Sequence, residues 1–200
     1  MLSLERSVFL LCDVQERFRP LIHRFGDVSR VAQTLCSAAQ LLGRPLVVTE
    51  QYPKGLLRTA AEVSSTYTRA DGSLAPRVAL FEKVRFSMLT PEVEAHLAAA
   101  APGYDAAVLF GIEAHVCVQQ TCEDLLARGK RVLLVVDGIS SQSPLDREVA
   151  LAGLRARGAE LTTSAALLFG LVRGADHPHF KAVSKLVTDA AREPSQLGLR

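Results

Sequence analysis

No apolar run in these 200 residues approaches the roughly 20 needed to cross a bilayer, and runs such as "RVLLVVDG" and "AAVLFG" each stop at a turn residue. No membrane-spanning helix is therefore expected. A leader peptide is equally unexpected: a strand-like run opens at residue 7, so "MLSLER" has no room for charged, apolar and cleavage regions, and the expectation is a cytoplasmic protein. Neither sign of charge dominates, since 23 basic residues face 21 acidic ones and the net charge is +2. With aromatics at 6%, there is no basic face interleaved with rings, and no nucleic-acid or membrane partner is expected. The four cysteines (Cys12, Cys36, Cys117, Cys122) lack paired CxxC spacing, and of five histidines only His177 and His179 stand close enough to suggest a ligand pair, in a tail segment around Pro178. No metal, no cofactor and no disulfide framework are expected, and the thiols should be free. Internal repeats and low-complexity tracts are absent as well.

The residues that are present describe an alternating chain. A hydrophobic content of 48% over 200 residues is enough for one core, so residues 1–200 are read as a single domain with its core at about 7–170 and a helical extension at 171–200. Six short apolar runs end in polar or small residues, at 7–13, 44–50, 77–83, 105–111, 131–138 and 158–164, the pattern of strands covered on both faces. Helical spacing fills 27–42, 90–100, 115–128 and 145–157, with an amphipathic candidate at 179–192. Thr90 should cap the second of these with Pro91 in its first turn, and Gly129 and Gly158 should end helices in the left-handed conformation. Residues 51–76 are weakly periodic and form a longer excursion, read as part of a lid or an oligomer contact. Strand-helix alternation of this kind gives an α/β fold, a three-layer α/β/α sandwich with a six-stranded parallel sheet.

Ligands of such sheets bind beyond the carboxyl ends of the strands, which turns attention to the polar residues there. Asp13 and Gln15 follow the first strand, Thr49 and Glu50 the second, Lys83 the third, and the fourth runs into "GIEAHVC", ending at Cys117. An acid, an amine and a thiol then share one crevice. A thiol attacks only as thiolate, which a nearby ammonium and a helix N-terminus both favour; a carboxylate can take its proton and return it to a leaving group, and N–H groups in the turn before Cys117 can hold an oxyanion. Singly, each residue has a plainer role: aspartates cap turns, exposed lysines are solvated, and buried cysteines such as Cys122 pack. Their coincidence at strand ends is the signal.

Several stretches resemble the isochorismatase-like (cysteine hydrolase) superfamily over roughly residues 7–170, closest to its isochorismatase domain-containing proteins: "FLLCDVQERFRP", "VVTEQYPKGL", "FEKVRFSML", "LTTSAALLFGLV" and above all "GIEAHVCV". The resemblance implies a Rossmann-like arrangement with Asp13, Lys83 and Cys117 as catalytic triad. It also implies a cis peptide between Ile112 and Glu113, which gives an oxyanion hole from the N–H groups of Glu113 and Cys117. Gln15, Phe18, Gln51, Tyr52, Phe86 and Ile112 are expected around the substrate. Nicotinamidases of the superfamily carry a metal held by an aspartate and two histidines after the second strand; here that region reads "TEQYPKGLL", without histidine, so that activity is not expected. Isochorismatases proper resemble members that lack the cysteine, and Cys117 argues for covalent chemistry instead. His115 is read as structural or surface, Asp146 or Ser143 as a helix cap, and Arg147 as pairing across a subunit contact, while apolar segments 118–126 and 165–172 serve either a homo-oligomer interface or the core. The resulting expectation is a hydrolase acting on a small amide or related acyl substrate through a thioester. The alternative is a catalytically inactive fold that binds a small molecule or a protein partner.

Overall fold

The computed structural model describes residues 3–198. Six parallel strands form one sheet in the order β3-β2-β1-β4-β5-β6: β1 Ser7–Cys12, β2 Leu46–Gln51, β3 Val78–Lys83, β4 Ala106–Ile112, β5 Arg131–Ser140 and β6 Glu160–Thr162. Helices α1 (Phe25–Leu41), α7 (Ser164–Val172) and α8 (Phe180–Ala190) pack together over one face, while α5 (Gln119–Ala127) and α6 (Pro144–Ala156) cover the other side of β5. Short helices α2 (Pro53–Leu56) and α3 (Ala61–Ser64) follow β2, and α4 (Pro91–Ala100) joins β3 to β4. This is the three-layer α/β sandwich expected. Its strands are continuous apolar runs because both faces are covered: every residue of β1 and of β4 is buried.

Local signals placed most boundaries. Thr90 caps α4 by accepting from the Val93 N–H, Ser143 does the same for α6 through the Asp146 N–H, and Gly129 and Gly158 stand at positive φ where α5 and α6 stop. Two boundaries differ. The stretch 158–164 yields a strand of only three residues, because Thr163 accepts from the Ala166 N–H and starts α7 at Ser164. The helix expected at 115–128 divides into a π-helical turn, Ala114–Val118, and α5. The apolar segments offered as an interface turn mostly inward: Val118, Cys122, Leu125, Leu167, Leu168, Leu171 and Val172 are all buried in the core.

Arg147 corrects the sequence reading. Expected at a subunit contact, it is instead buried within the chain, donating through Nε to the Ile139 carbonyl, through Nη2 to that of Val136 and through Nη1 to that of Gly198. The cause lies in β5. Its pairing with β4 jumps from Leu109 opposite Leu134 to Gly111 opposite Ile139, and the bulge removes carbonyls from the ladder that a guanidinium fork can then satisfy. Arg147→Ala is expected to cost about 2 kcal/mol by stranding these carbonyls, read as a lower urea midpoint at unchanged slope, and Arg147→Lys should recover little because an ammonium cannot span the fork.

Candidate active site

The chain runs outward from β1 through β2 to β3, then returns to place β4 on the other side of β1. The crevice beyond the carboxyl ends of β1 and β4 is thus a topological switch point, where crossovers diverge to opposite faces and leave an opening. Asp13, the first residue after β1, sits at φ 51, in the left-handed region that aspartate tolerates better than most residues. β4 lies close against it: a Cβ on Gly111 would stand 2.2 Å from the Cys12 carbonyl oxygen.

Asp13 is held from several sides. Its Oδ1 accepts from Thr49 Oγ1 at 2.8 Å, and its Oδ2 accepts from Lys83 Nζ at 2.7 Å and from the Cys12 thiol at 3.6 Å. The Sγ atoms of Cys12 and Cys117 and a carboxylate oxygen of Asp13 all lie within 4.8 Å of one another. Lys83 brings its ammonium from the end of β3 with its side chain wholly buried, facing Gln51 Oε1 at 2.7 Å and the carbonyls of Phe86 and Arg85 at 2.8 and 3.1 Å. Burial works against its charge. The negative charge that Cys12, Asp13 and Cys117 carry when ionised outweighs that penalty and holds its pKa above the ordinary lysine value. Among the described residues Cys12, Asp13 and Cys117 are the one group with the donor atoms for a metal ion, but the ammonium 2.7 Å from Asp13 already occupies the cation's place.

Cys117 lies in the π-helical turn after β4 and is 7% exposed, enough to reach a cavity of about 390 Å³. Asp13, Phe18, Gln51, Tyr52, Phe86, Ile112, Glu113 and Cys117 border this cavity, joined by Gly55, Leu56 and Val116. The peptide bond between Ile112 and Glu113 is cis. Gln15 is a correction. It does not border the cavity but is fully buried behind it, donating to the carbonyls of Gln51 and Leu57 at 3.0 and 2.7 Å and accepting from the Gln51 N–H at 2.8 Å. Glu50, also buried, accepts from both the N–H and the hydroxyl of Thr59 and from Arg58. These two residues fix the start of the 51–76 excursion, whose α2 forms one wall of the cavity.

Thr121 escaped the sequence reading because a threonine inside a helix carries no signal of its own. Its hydroxyl donates to the Cys117 carbonyl at 2.6 Å and accepts from the Met88 N–H at 2.9 Å, tying the turn that carries the thiol to the segment after β3. His115 points away from the cavity, with Nδ1 3.0 Å from Ser141 Oγ and Nε2 3.9 Å from an Asp146 carboxylate oxygen, in keeping with the structural role expected for it.

The model of the isochorismatase domain matches residues 7–166. The chain belongs to the isochorismatase family. Isochorismatase domain-containing protein 1 of Salmo salar is 46% identical over 191 residues, 96% of this chain, and the chain spans 64% of the length of that relative. The secreted isochorismatase effector Isc1 of Phytophthora sojae is 43% identical over 92% of this chain and 85% of its own. Among solved structures, the MAR1 ribonuclease of Caenorhabditis elegans superposes with a TM-score of 0.88 at 40% identity, covering 100% of this chain and 98% of that one. The family match agrees with the α/β fold observed, and no helix of the described residues is long and apolar enough to cross a membrane.

Proposed function

We propose that the chain is a cysteine hydrolase acting on a small amide or related acyl compound. The observation that carries this reading is a buried Lys83–Asp13 pair meeting a thiol at the floor of a cavity large enough for a small molecule. In the proposed reaction Asp13 takes the Cys117 proton and the thiolate attacks the acyl carbon. The N–H groups of Glu113 and Cys117 receive the oxyanion. Protonated Asp13 then passes its proton to the departing amine, leaving a thioester, and the same carboxylate activates the water that hydrolyses it. Lys83, 2.7 Å from its Oδ2, holds Asp13 in place beside the thiol throughout. Phe18, Tyr52, Leu56, Phe86, Ile112 and Val116 give the cavity an apolar wall, and among the described residues no lysine, arginine or histidine borders it, which favours an uncharged acyl portion over an anionic one. The proposal extends to a cytoplasmic homo-oligomer working without cofactor, nucleic acid or membrane; Leu145 and Val149, 66% and 63% exposed on α6, offer apolar surface for self-association.

Iodoacetamide at neutral pH tests the thiol. Cys117 should be labelled first, whereas Cys122, pushed up to about 12 by burial, and Cys36, raised further by the same cause, should react only after unfolding. A panel of small primary amides assayed for ammonia release then tests the reaction. Labelling of Cys117 no faster than Cys122 would favour the inactive binding module.

A second reading comes from the nematode relative, named as a ribonuclease and alike over the whole chain. Against it, the cavity presents Asp13 and Glu113 and, among the described residues, no cationic side chain to a phosphodiester. Incubation with single-stranded RNA separates the two: cleavage that disappears in Cys117→Ala would replace the amide reading, and RNA left intact by the wild-type protein removes the ribonuclease.

A further inference from the structure

Cys12 is the one reactive group in the crevice for which the proposed hydrolysis has no task. It ends β1, is wholly buried, and its sulfur lies within 4.8 Å of the Cys117 sulfur while donating to Asp13 at 3.6 Å. Packing alone asks for a small apolar side chain here, and valine or alanine would serve; a thiol adds chemistry only because a second thiol stands opposite. Cys36 and Cys122 lie on α1 and α5, outside this cluster.

We propose that Cys12 is a resolving thiol and that Cys12 and Cys117 form a reversible disulfide when the crevice meets a hydroperoxide. The oxidant enters the same cavity as a substrate, since Cys117 borders it and Cys12 does not. The Cys117 sulfur attacks the terminal oxygen of the hydroperoxide, the O–O bond breaks, and the products are a sulfenic acid and an alcohol, or water from hydrogen peroxide. Cys12 then attacks the sulfenic sulfur. Its proton passes by way of Asp13 to the departing hydroxyl, water leaves, and an S–S bond joins the two residues. The two thiols lose two electrons in all, which reduce the one peroxide.

Two features suit Cys12 to the second step rather than the first. Burial above all, reinforced by the Cys117 sulfur and the Asp13 charge, raises the Cys12 pKa well above the ordinary thiol value, so it stays protonated and inert until an electrophilic sulfur forms beside it. Asp13, already accepting from Cys12, stands ready to take the proton at that moment. A disulfide requires the sulfurs to close to about 2.05 Å. From within 4.8 Å that closure asks for side-chain rotation together with a small shift of the π-helical turn that carries Cys117. The device shields the proposed nucleophile from sulfinic and sulfonic acids, which thiol reductants do not reverse.

The proposal concerns the same thiol as the proposed hydrolysis but not the reaction itself, so its test reads sulfur chemistry and no turnover. The full chain is treated with hydrogen peroxide, remaining thiols are alkylated under denaturing conditions, and a peptide map is taken with and without prior dithiothreitol. The expected result is loss of two alkylatable thiols together, a linked peptide joining the Cys12 and Cys117 segments and lighter by two hydrogens, and return of both thiols with dithiothreitol. Cys12→Ala and Cys12→Ser should each leave Cys117 as sulfinic acid that dithiothreitol does not restore. Wild-type protein that gives Cys117 sulfinic acid while Cys12 remains alkylatable overturns the proposal, as does a Cys117 that peroxide leaves untouched or a disulfide made through Cys36 or Cys122. The wild-type map decides the matter even if both variants fail to fold.

Discussion

Cys117→Ala is expected to lower amide turnover by at least ~10³-fold, because removing a covalent nucleophile leaves only binding and oxyanion stabilisation to act on water. The fold should hardly notice. Losing one sulfur from a small, nearly buried side chain costs about 1 kcal/mol, so the variant should unfold cooperatively with a midpoint only a few degrees lower. Cys117→Ser preserves volume more closely, yet a hydroxyl is far harder to ionise than a thiol, so it should resemble the alanine variant in turnover. Steady-state ammonia release beside a thermal melt checks both halves. Activity retained within about tenfold in either variant would show that the sulfur forms no covalent intermediate, and the Asp13 carboxylate would then have to act on water directly.

The parts legible in the sequence were those governed by short-range rules. Apolar runs ending in polar residues located the strands, and strand ends located Asp13, Lys83 and Cys117, because a parallel sheet gathers its carboxyl ends along one edge whatever lies between them in the chain. Gln15 was misplaced because the left-handed turn at Asp13 redirects the chain and sends that side chain behind the cavity to tie down the segment after β2. Arg147 was misread for a similar reason: its partners are carbonyls of a bulge, and a bulge in β5 depends on pairing with β4 that no local pattern reveals. Cys12 looked like one more apolar residue of a buried strand, and only the close approach of β4 and its following turn showed the second thiol opposite it.

The Lys83–Asp13 pair carries the largest stability prediction. Its side chains are 0% and 2% exposed and 2.7 Å apart, so neither charge has water to fall back on. Lys83→Met should therefore cost about 3–5 kcal/mol, chiefly through the uncompensated Asp13 carboxylate it leaves buried rather than through the attraction it removes. Asp13→Asn should cost a similar amount by stranding the ammonium. The double variant should be more stable than the sum of the two single losses, since each change relieves the burial penalty exposed by the other. The pH dependence has a definite sign. The folded-state pKa of Lys83 lies above the unfolded one near ~10.4, so its contribution is complete below that value and fades as pH rises through the higher folded value. Urea unfolding of wild type and Lys83→Met should differ by a constant amount from neutral pH to about 10 and converge above it. A difference that instead shrinks on going from pH 7 to 9 would mean that the ammonium is already losing its proton there, and the buried pair would not be the ion pair on which the proposed reaction depends.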